Sequence, residues 1–553
     1  MYLLKRILFS ASFLMLVTSS IWSANDLKTN DPHFELSKNL DIFNALFRDL
    51  DAFYVDTINY QKVITSGIND MLSNLDPYTI YIPENQTDFL KQMTTGEYAG
   101  VGAEIGQQNG YVFINEPFQG KPAQKAGLKA GDILLELDGI SLKGKTVEQV
   151  SNLLKGQPQT VVHLKIKRPG VEKPLFFNVT REKISINPVV YYGVLKNDIG
   201  YVMLSEFTEN ASDEMQRALQ YLKDQHIKSL IIDVRNNPGG IIDEAVKMVG
   251  FFVPKGTEVV STRSKVKAWD KIYRTQTEPI VPDLPMAVLV DENTASAAEI
   301  LSGSLQDLDR AVIIGTRTYG KGLVQSIRPL PYDGHLKVTT AKYYIPSGRC
   351  IQAINYAERN PDGSPMRVPD SLTHVFKTAD GRLVRDGGGI RPDIEVKDSA
   401  QLNITYYLYA QNIIFDFATQ YALKHTAIAP PEQFSINDSD YQDFINFVKA
   451  QHFHYTLQSE TLLKKLIETA KAEGYGEMAA ADFKSLQTIL TPHIDQDLMR
   501  FKPDIEKLIN GEIVKRYYYQ KGLVRYSLQH DKTVDKAIET LDNNAEYNKI
   551  LGK

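Results

Sequence analysis

The chain has 553 residues, 43% of them hydrophobic and 23% charged, an ordinary globular balance with length for three or four domains. A formal net charge of −5 gives no electrostatic footprint for nucleic acid or acidic lipid. The single Cys350 excludes intrachain disulfides, no Cys/His spacing suits zinc, and no GXXXXGKS-type phosphate loop occurs, so no metal or other cofactor is expected.

In chain order, Lys5 and Arg6 precede the apolar run Ile7–Val17 and the small residues Thr18, Ser19 and Ser20. That charged–apolar–small order is a secretory signal, expected over 1–24, in a run too short for a comfortable membrane span. It implies an exported, periplasmic protein, or a membrane-associated one facing the periplasm if the signal is uncleaved. From 25 to 95 the pattern is helical. Leu40, Phe43, Leu46, Phe47 and Leu50 form one stripe, and Ile64, Ile68, Met71, Leu72 and Leu75 another, as expected of a helical hairpin packed on the core. Asp76-Pro77 breaks that pattern.

The texture changes at Gly96. A glycine-rich stretch, Gly96–Gly106, precedes a strand at Tyr111–Phe118. Further strands read at Asp132–Leu137, Val161–Lys167 and Leu175–Thr180, with a helical segment at Val147–Leu154. Gly127-Leu128-Lys129-Ala130-Gly131-Asp132-Ile133-Leu134 looks like the core of a PDZ domain, over 96–183. Such a domain captures a peptide C-terminus by strand addition, holding the carboxylate on a glycine-rich loop. Gly100, Val101, Gly102 and Ala103 match that loop by position.

From 184 to 400 strands and helices alternate, the signature of an α/β core with parallel crossovers. Ser229–Val234 is a buried-looking strand that runs into Arg235-Asn236-Asn237-Pro238-Gly239-Gly240 and a helix over Ile241–Phe252. Paired glycines let backbone N–H groups approach a ligand at a positively polarised helix start. Met286–Val290 is a second strand, followed by a loop and a helix that begins at Ala295-Ser296-Ala297. Ala311–Gly315 is a third strand. Ser296…Glu299 is literally a capping box, so Ser296 reads either as a cap or as a nucleophile on a strand-to-helix turn. Lys321 follows between Gly320 and Gly322, and if Lys321–Ile327 is extended, Lys321, Leu323 and Gln325 share one face. The segments Asp362–Asp370 and Thr378–Gly389 read as polar loops. Beyond Leu402, over 401–553, the chain is helical with short breaks; Ser439-x-x-Gln442 opens one helix in capping-box form. A packing or oligomerisation module is the simplest expectation there.

Three motifs in this order resemble the carboxy-terminal processing peptidases, also called tail-specific proteases: Asp233–Gly240, Glu292–Glu299 and Thr318–Gln325. The resemblance covers roughly 36–398 and thins over the C-terminal helices. It implies an α/β multidomain fold: a helical N-terminal segment (25–95), a β-rich PDZ domain (96–183), a serine protease core (184–400) and a helical C-terminal domain (401–553). It implies a serine endopeptidase with a Ser–Lys dyad, Ser296 as nucleophile, Lys321 as general base and Gln325 orienting the lysine. The oxyanion hole would use the N–H groups of Ala297 and of Gly239 or Gly240. A lysine's ordinary pKa of about 10.4 makes it a poor base near neutrality, so such a dyad needs burial that disfavours the ammonium by about 4–5 kcal/mol. The expected partners are protein or peptide substrates with apolar C-terminal tails, with no nucleic acid. An adaptor or activating partner and homo-oligomerisation through the C-terminal helices stay open. Arg168 and Arg181 are candidate gating contacts beside the PDZ domain. The rival from another class is a non-catalytic scaffold that binds protein tails or apolar ligands on a protease fold. A second rival is a triad hydrolase using His226, His335 or His374.

Overall fold

The computed structural model describes residues 32–86, 95–360, 364–397 and 403–553; the leader expected over 1–24 lies outside them. The chain divides into two compact units, Met1–Tyr81 and Ile82–Lys553. Among the described residues, no helix is long and apolar enough to cross a membrane.

The first unit carries α1 (Pro32–Phe53) and α2 (Tyr60–Ser73), the latter capped by Asn59, whose side chain accepts from the Lys62 N–H. Both helices form as the stripes predict. Leu40, Phe43 and Leu46 of α1 are about half exposed. Periodicity reports which residues share a face, and says nothing of what covers that face.

In the second unit, the strands β1 (Glu97–Gly100), β2 (Ala103–Gln108), β3 (Tyr111–Pro117), β4 (Ile133–Leu137), β5 (Ile140–Ser141), β6 (Val161–Lys167), β7 (Leu175–Thr180) and β8 (Glu182–Ser185) come first. Five of them order as β2-β3-β4-β6-β7, β5 pairs with β4, and β1 pairs with β8. A short turn of helix, α3 (Pro122–Lys125), and α4 (Val147–Leu154) complete this PDZ domain. Thr146 and Gln149 close a full capping box on α4, whose Val150 and Leu154 enter the core.

The α/β core is built on a six-stranded sheet. Its strands are β9 (Val189–Leu195), β10 (Ile199–Leu204), β11 (Ser229–Asp233), β14 (Met286–Val290), β15 (Val312–Gly315) and β22 (Ile394–Glu395), in the order β9-β10-β11-β14-β15-β22. Only β9 is antiparallel to its neighbour. The helices α5 (Ala211–Asp224), α6 (Ile242–Val249) and α7 (Ala297–Asp307) are the crossovers. An antiparallel sheet of β12 (Glu258–Ser264), β13 (Lys271–Arg274), β16 (Leu323–Pro329) and β17 (His335–Tyr344) stands beside it. The segments read as polar loops, Asp362–Asp370 and Thr378–Gly389, each hold one strand of a small hairpin: β19 (Pro365–Arg367) pairs with β18 (Ile354–Arg359), and β21 (Leu383–Arg385) pairs with β20 (Val375–Lys377). Strands this short carry too few alternating residues to show their period.

Every residue of β11 and β14 is buried, as parallel strands covered on both faces must be. Alternate residues divide between two cores. Leu230, Ile232, Met286, Val288, Val290 and Ile313 pack with α5, α6 and α7. Tyr201, Ile231, Ala287, Leu289, Val312 and Ile314 face the other way, against Val524, Val534, Ala537, Ile538, Leu541 and Tyr547.

Those covering residues belong to the C-terminal helices: α8 (Ile404–Ala410), α9 (Ile413–Lys424), α10 (Asp438–Ala450), α11 (Gln458–Ala472), α12 (Ala480–Leu490), α13 (Ile494–Arg500), α14 (Lys502–Ser527), α15 (Lys532–Asp542) and α16 (Asn544–Ile550). The cap of α10 is Asn437, paired in a capping box with Asp440, and the expected Ser439…Gln442 box lies two residues too late. Asn ranks at least with Ser as an N-cap, so both patterns were chemically sound and the earlier one won. This domain touches the PDZ sheet as well. Phe415 packs on Phe113 at 5.0 Å between ring centroids, and Glu116 meets Lys515 and Gln520. At Tyr519 α14 breaks, with φ 56°, where the tyrosine hydroxyl accepts from Gln124 at 2.7 Å.

Candidate active site

Three parallel strands deliver the candidate groups to one edge. Asp233 at the end of β11 pairs with Leu289, and Leu289 pairs with Ile314 of β15, so the carboxyl ends of β11, β14 and β15 lie level. The loops leaving those ends carry Gly239-Gly240, Ser296 and Lys321, in the crevice where open parallel sheets place their ligands.

Ser296 stands immediately before α7 with φ 57° and ψ −117°, a conformation that costs an L-residue about 1–3 kcal/mol and persists only where the surroundings impose it. They do. A Cβ on Gly239 would come within 2.7 Å of the Ser296 Cβ and 2.8 Å of the Ala297 nitrogen. A Cβ on Gly240 would come within 2.2 Å of the Phe207 carbonyl oxygen. Only glycines let the two loops approach this closely.

Asn237, fully buried, joins them. Its Nδ2 donates to the Leu204 carbonyl at 2.8 Å, its Oδ1 accepts from Gly239 N–H at 2.9 Å, and its carbonyl accepts from Ala295 N–H at 2.9 Å. The Gly239 N–H is therefore engaged. Among the described residues, no acceptor takes the N–H of Gly240 or of Ala297.

Glu299 is the group that sequence reasoning undervalued, seeing in it half of a capping box. Its carboxylate has no exposure to solvent and accepts four hydrogen bonds. Oε2 takes the backbone N–H of Ser296 at 2.9 Å and of Lys321 at 2.8 Å; Oε1 takes Gly320 N–H at 2.8 Å and the Thr318 hydroxyl at 2.5 Å. One buried oxygen thus ties the backbones of Ser296 and Lys321 together. Burial pushes the Glu299 carboxyl above its ordinary value, against the pull of these donors. All four partners donate, which is the arrangement an ionised carboxylate satisfies. Tyr343 makes a second tie, its buried hydroxyl 2.5 Å from the Lys321 carbonyl oxygen and 3.1 Å from that of Ser296.

Lys321 is half-buried and lies outside the strand expected to carry it, because β16 begins at Leu323. The β16–β17 register also slips between Val324 and Gln325, so the simple alternation linking Lys321, Leu323 and Gln325 does not apply. Glu299 and Tyr343 hold the Lys321 backbone instead. Gln325, half-buried, donates from Nε2 to the Thr339 hydroxyl at 3.3 Å.

In the PDZ domain, Gly100 ends β1, Val101 and Gly102 turn the chain with Gly102 at φ 71°, and Ala103 opens β2, the edge strand of its sheet. Arg168 binds buried Asp132 at 2.7 Å and the Gly127 carbonyl at 2.9 Å. Arg181 donates to the carbonyls of Leu153 and Leu154 at the end of α4. Both guanidiniums are engaged inside the PDZ domain. Of the histidines weighed for a triad, His374 is exposed and pairs with Asp386, and His226 lies in the turn between α5 and β11.

Comparison with known proteins follows the same division. The family described as peptidase family S41 matches residues 198–362, a span that includes Gly239, Gly240, Ser296, Ala297, Lys321 and Gln325. A PDZ domain family matches 113–168, and the C-terminal helical domain of probable PDZ-proteases matches 404–541. A carboxy-terminal-processing protease of Bartonella bacilliformis is 35% identical over 356 residues, 64% of this chain and 81% of that protein. A probable CtpA-like serine protease of Staphylococcus aureus is 33% identical over 316 residues, 57% of this chain and 62% of that protein. Among solved structures, a photosystem II D1 C-terminal processing protease is 28% identical, covering 62% of this chain and 84% of its own, with a TM-score of 0.36.

Proposed function

The chain belongs to the carboxy-terminal-processing proteases, serine peptidases of family S41 that carry a PDZ domain, and on that premise we propose how it cuts. Ser296 is the nucleophile and Lys321 the general base. Neutral Lys321 takes the Ser296 hydroxyl proton as the oxygen attacks the scissile carbonyl. The N–H groups of Ala297 and Gly240 receive the oxyanion, Gly240 being preferred to Gly239 because the latter's N–H is held by Asn237. The lysine ammonium returns the proton to the leaving amine, and water then hydrolyses the acyl-enzyme. Gln325 orients the lysine. The observation that carries this reading is the single buried Glu299 oxygen bonded to the backbones of both Ser296 and Lys321.

Substrates are proteins whose apolar C-terminal tails bind the PDZ domain, adding a strand along β2 with the carboxylate on the Gly100–Ala103 turn. The leader over 1–24 directs the protein to the periplasm, which N-terminal sequencing of the mature chain would check. Ser296→Ala and Lys321→Ala should each abolish cleavage of a tailed peptide, by about 10⁴-fold or more, in protein that remains folded. Substantial cleavage by either variant would sink the dyad.

A further inference from the structure

The loop that carries Gly239-Gly240 is held from outside the protease core. Arg235 sits at its start, two residues after Asp233, and its guanidinium lies between two carboxylates. One is Asp233, the last residue of β11, fully buried, at 2.5 Å and also bonded by the Tyr201 hydroxyl at 2.7 Å. The other is Asp531 of the C-terminal domain, met by both Nη atoms at 3.1 and 2.7 Å. The side chains are only 21% exposed for Arg235 and 17% for Asp531. A two-pronged guanidinium–carboxylate contact fixes direction as well as distance. Asp531 is itself rigid, because it caps α15 by accepting from the N–H groups of Thr533 and Val534.

From Arg235 the constraint passes along the loop. Asn236 is held in a left-handed conformation, φ 56°, with its N–H on the Asp291 carboxylate. Asn237 follows, holding Gly239 N–H on one side and Ala295 N–H, next to Ser296, on the other. Asp233 and Arg235 are neighbours on one strand end, so their contact orients the guanidinium without anchoring the loop to anything distant. Asp531 supplies that anchor.

We infer that Asp531 is a positioning residue for the oxyanion-binding loop, acting through Arg235, and that the C-terminal helical domain is thereby part of the active-site scaffold. This rests on the assignment of Ser296 and Gly240 proposed above. Removing Asp531 leaves Arg235 still paired with Asp233, so the fold tolerates the change while the loop loses its fixed direction.

Asp531→Asn tests it in the full-length protein, since Asn preserves the cap on α15. Arg235→Lys is the second variant, keeping the charge and losing the fork. Each should lower kcat about tenfold, less than the ~10²–10³ lost with an oxyanion donor itself, and leave KM for a tailed peptide within about twofold. A peptide aldehyde, which forms a tetrahedral oxyanion on the serine, should lose affinity by the same factor as kcat, a parallel that general destabilisation would not produce. Unchanged kcat in folded Asp531→Asn, or a fall in kcat without the matching loss of aldehyde affinity, would overturn the proposal. Ser296→Ala measured alongside separates the two claims. A dead Ser296→Ala with a silent Asp531→Asn refutes only the positioning role, whereas an active Ser296→Ala refutes the assignment beneath it.

Discussion

The two faces of the central sheet are equally buried and differently made. One is covered by α5, α6 and α7, each the crossover between strands it packs on, so sequence neighbours become spatial neighbours. The other is covered by α15, α16 and the end of α14, from a separate domain more than two hundred residues downstream of β14. The first face brings the helix start that presents Ser296. The second brings no candidate catalytic residue, yet it fixes the sheet from behind and sends Asp531 to Arg235. Catalytic groups and their support therefore come from opposite sides of one layer, and each can be broken separately.

The largest effect should come from the first face. In Glu299→Gln either orientation of the amide sets an NH₂ against two donors, since each carboxylate oxygen accepts twice. A stability loss of about 2–4 kcal/mol is expected from the unsatisfied buried groups, read by chemical denaturation. Activity should fall at temperatures where the variant is still folded. Retained activity would show that the tie between Ser296 and Lys321 is dispensable.

Next comes Leu289→Ala, on the second face beneath the C-terminal helices. It should cost about 2–4 kcal/mol while leaving KM for a tailed peptide unchanged, and an altered KM would mean that this face is not separable from substrate binding. The smallest effect is acid sensitivity. Burial pushes the Asp531 carboxyl up, but Arg235 and the Thr533 and Val534 N–H groups outweigh it and hold the group below its ordinary value. A depressed carboxyl adds stability above its unfolded pKa of about 3.9, and that stability is lost as the pH falls through the lower folded value. Asp531→Asn should therefore show a shallower loss of stability than the parent as the pH is lowered below 4. Superimposable pH profiles would deny the contact any weight.

The same contrast explains what the amino-acid sequence disclosed. Met286–Val290 was legible to the residue, and Ser229–Asp233 and the helix after Ser296 nearly so, because buried parallel strands are short apolar runs bounded by glycine and polar turns. The candidate groups Gly239, Gly240, Ser296 and Lys321 lie in three ordered motifs, and the fold brings their loops to one edge. Glu299 was visible and misjudged. A capping box and a buried bridge have the same local pattern, and only the arrival of Thr318, Gly320 and Lys321 from the loop between β15 and β16 distinguishes them. Lys321 lay outside its strand because Gly320 and Gly322 both pack on the Ala353 and Gln352 backbone, a contact no local period reports. The covering of the second face was invisible for a related reason. The stripe of Val534, Ala537, Ile538 and Leu541 on α15 announces that something is buried, without naming the sheet it covers.

That last layer has a consequence in time. Met286, in the central strand, bonds Tyr547 across 261 residues of sequence, and Asn197 reaches Asp542 across 345. Contacts of such separation form late, since the entropy of closing the intervening chain must be met before they add stability. Until α15 and α16 dock, Tyr201, Leu289, Val312 and Ile314 form a bare apolar sheet face, the kind of surface on which partly folded chains associate. The slow step in the maturation of this protease is thus expected to be the closing of that face, and the PDZ domain, whose strands pair within 97–185, is expected to be complete well before it.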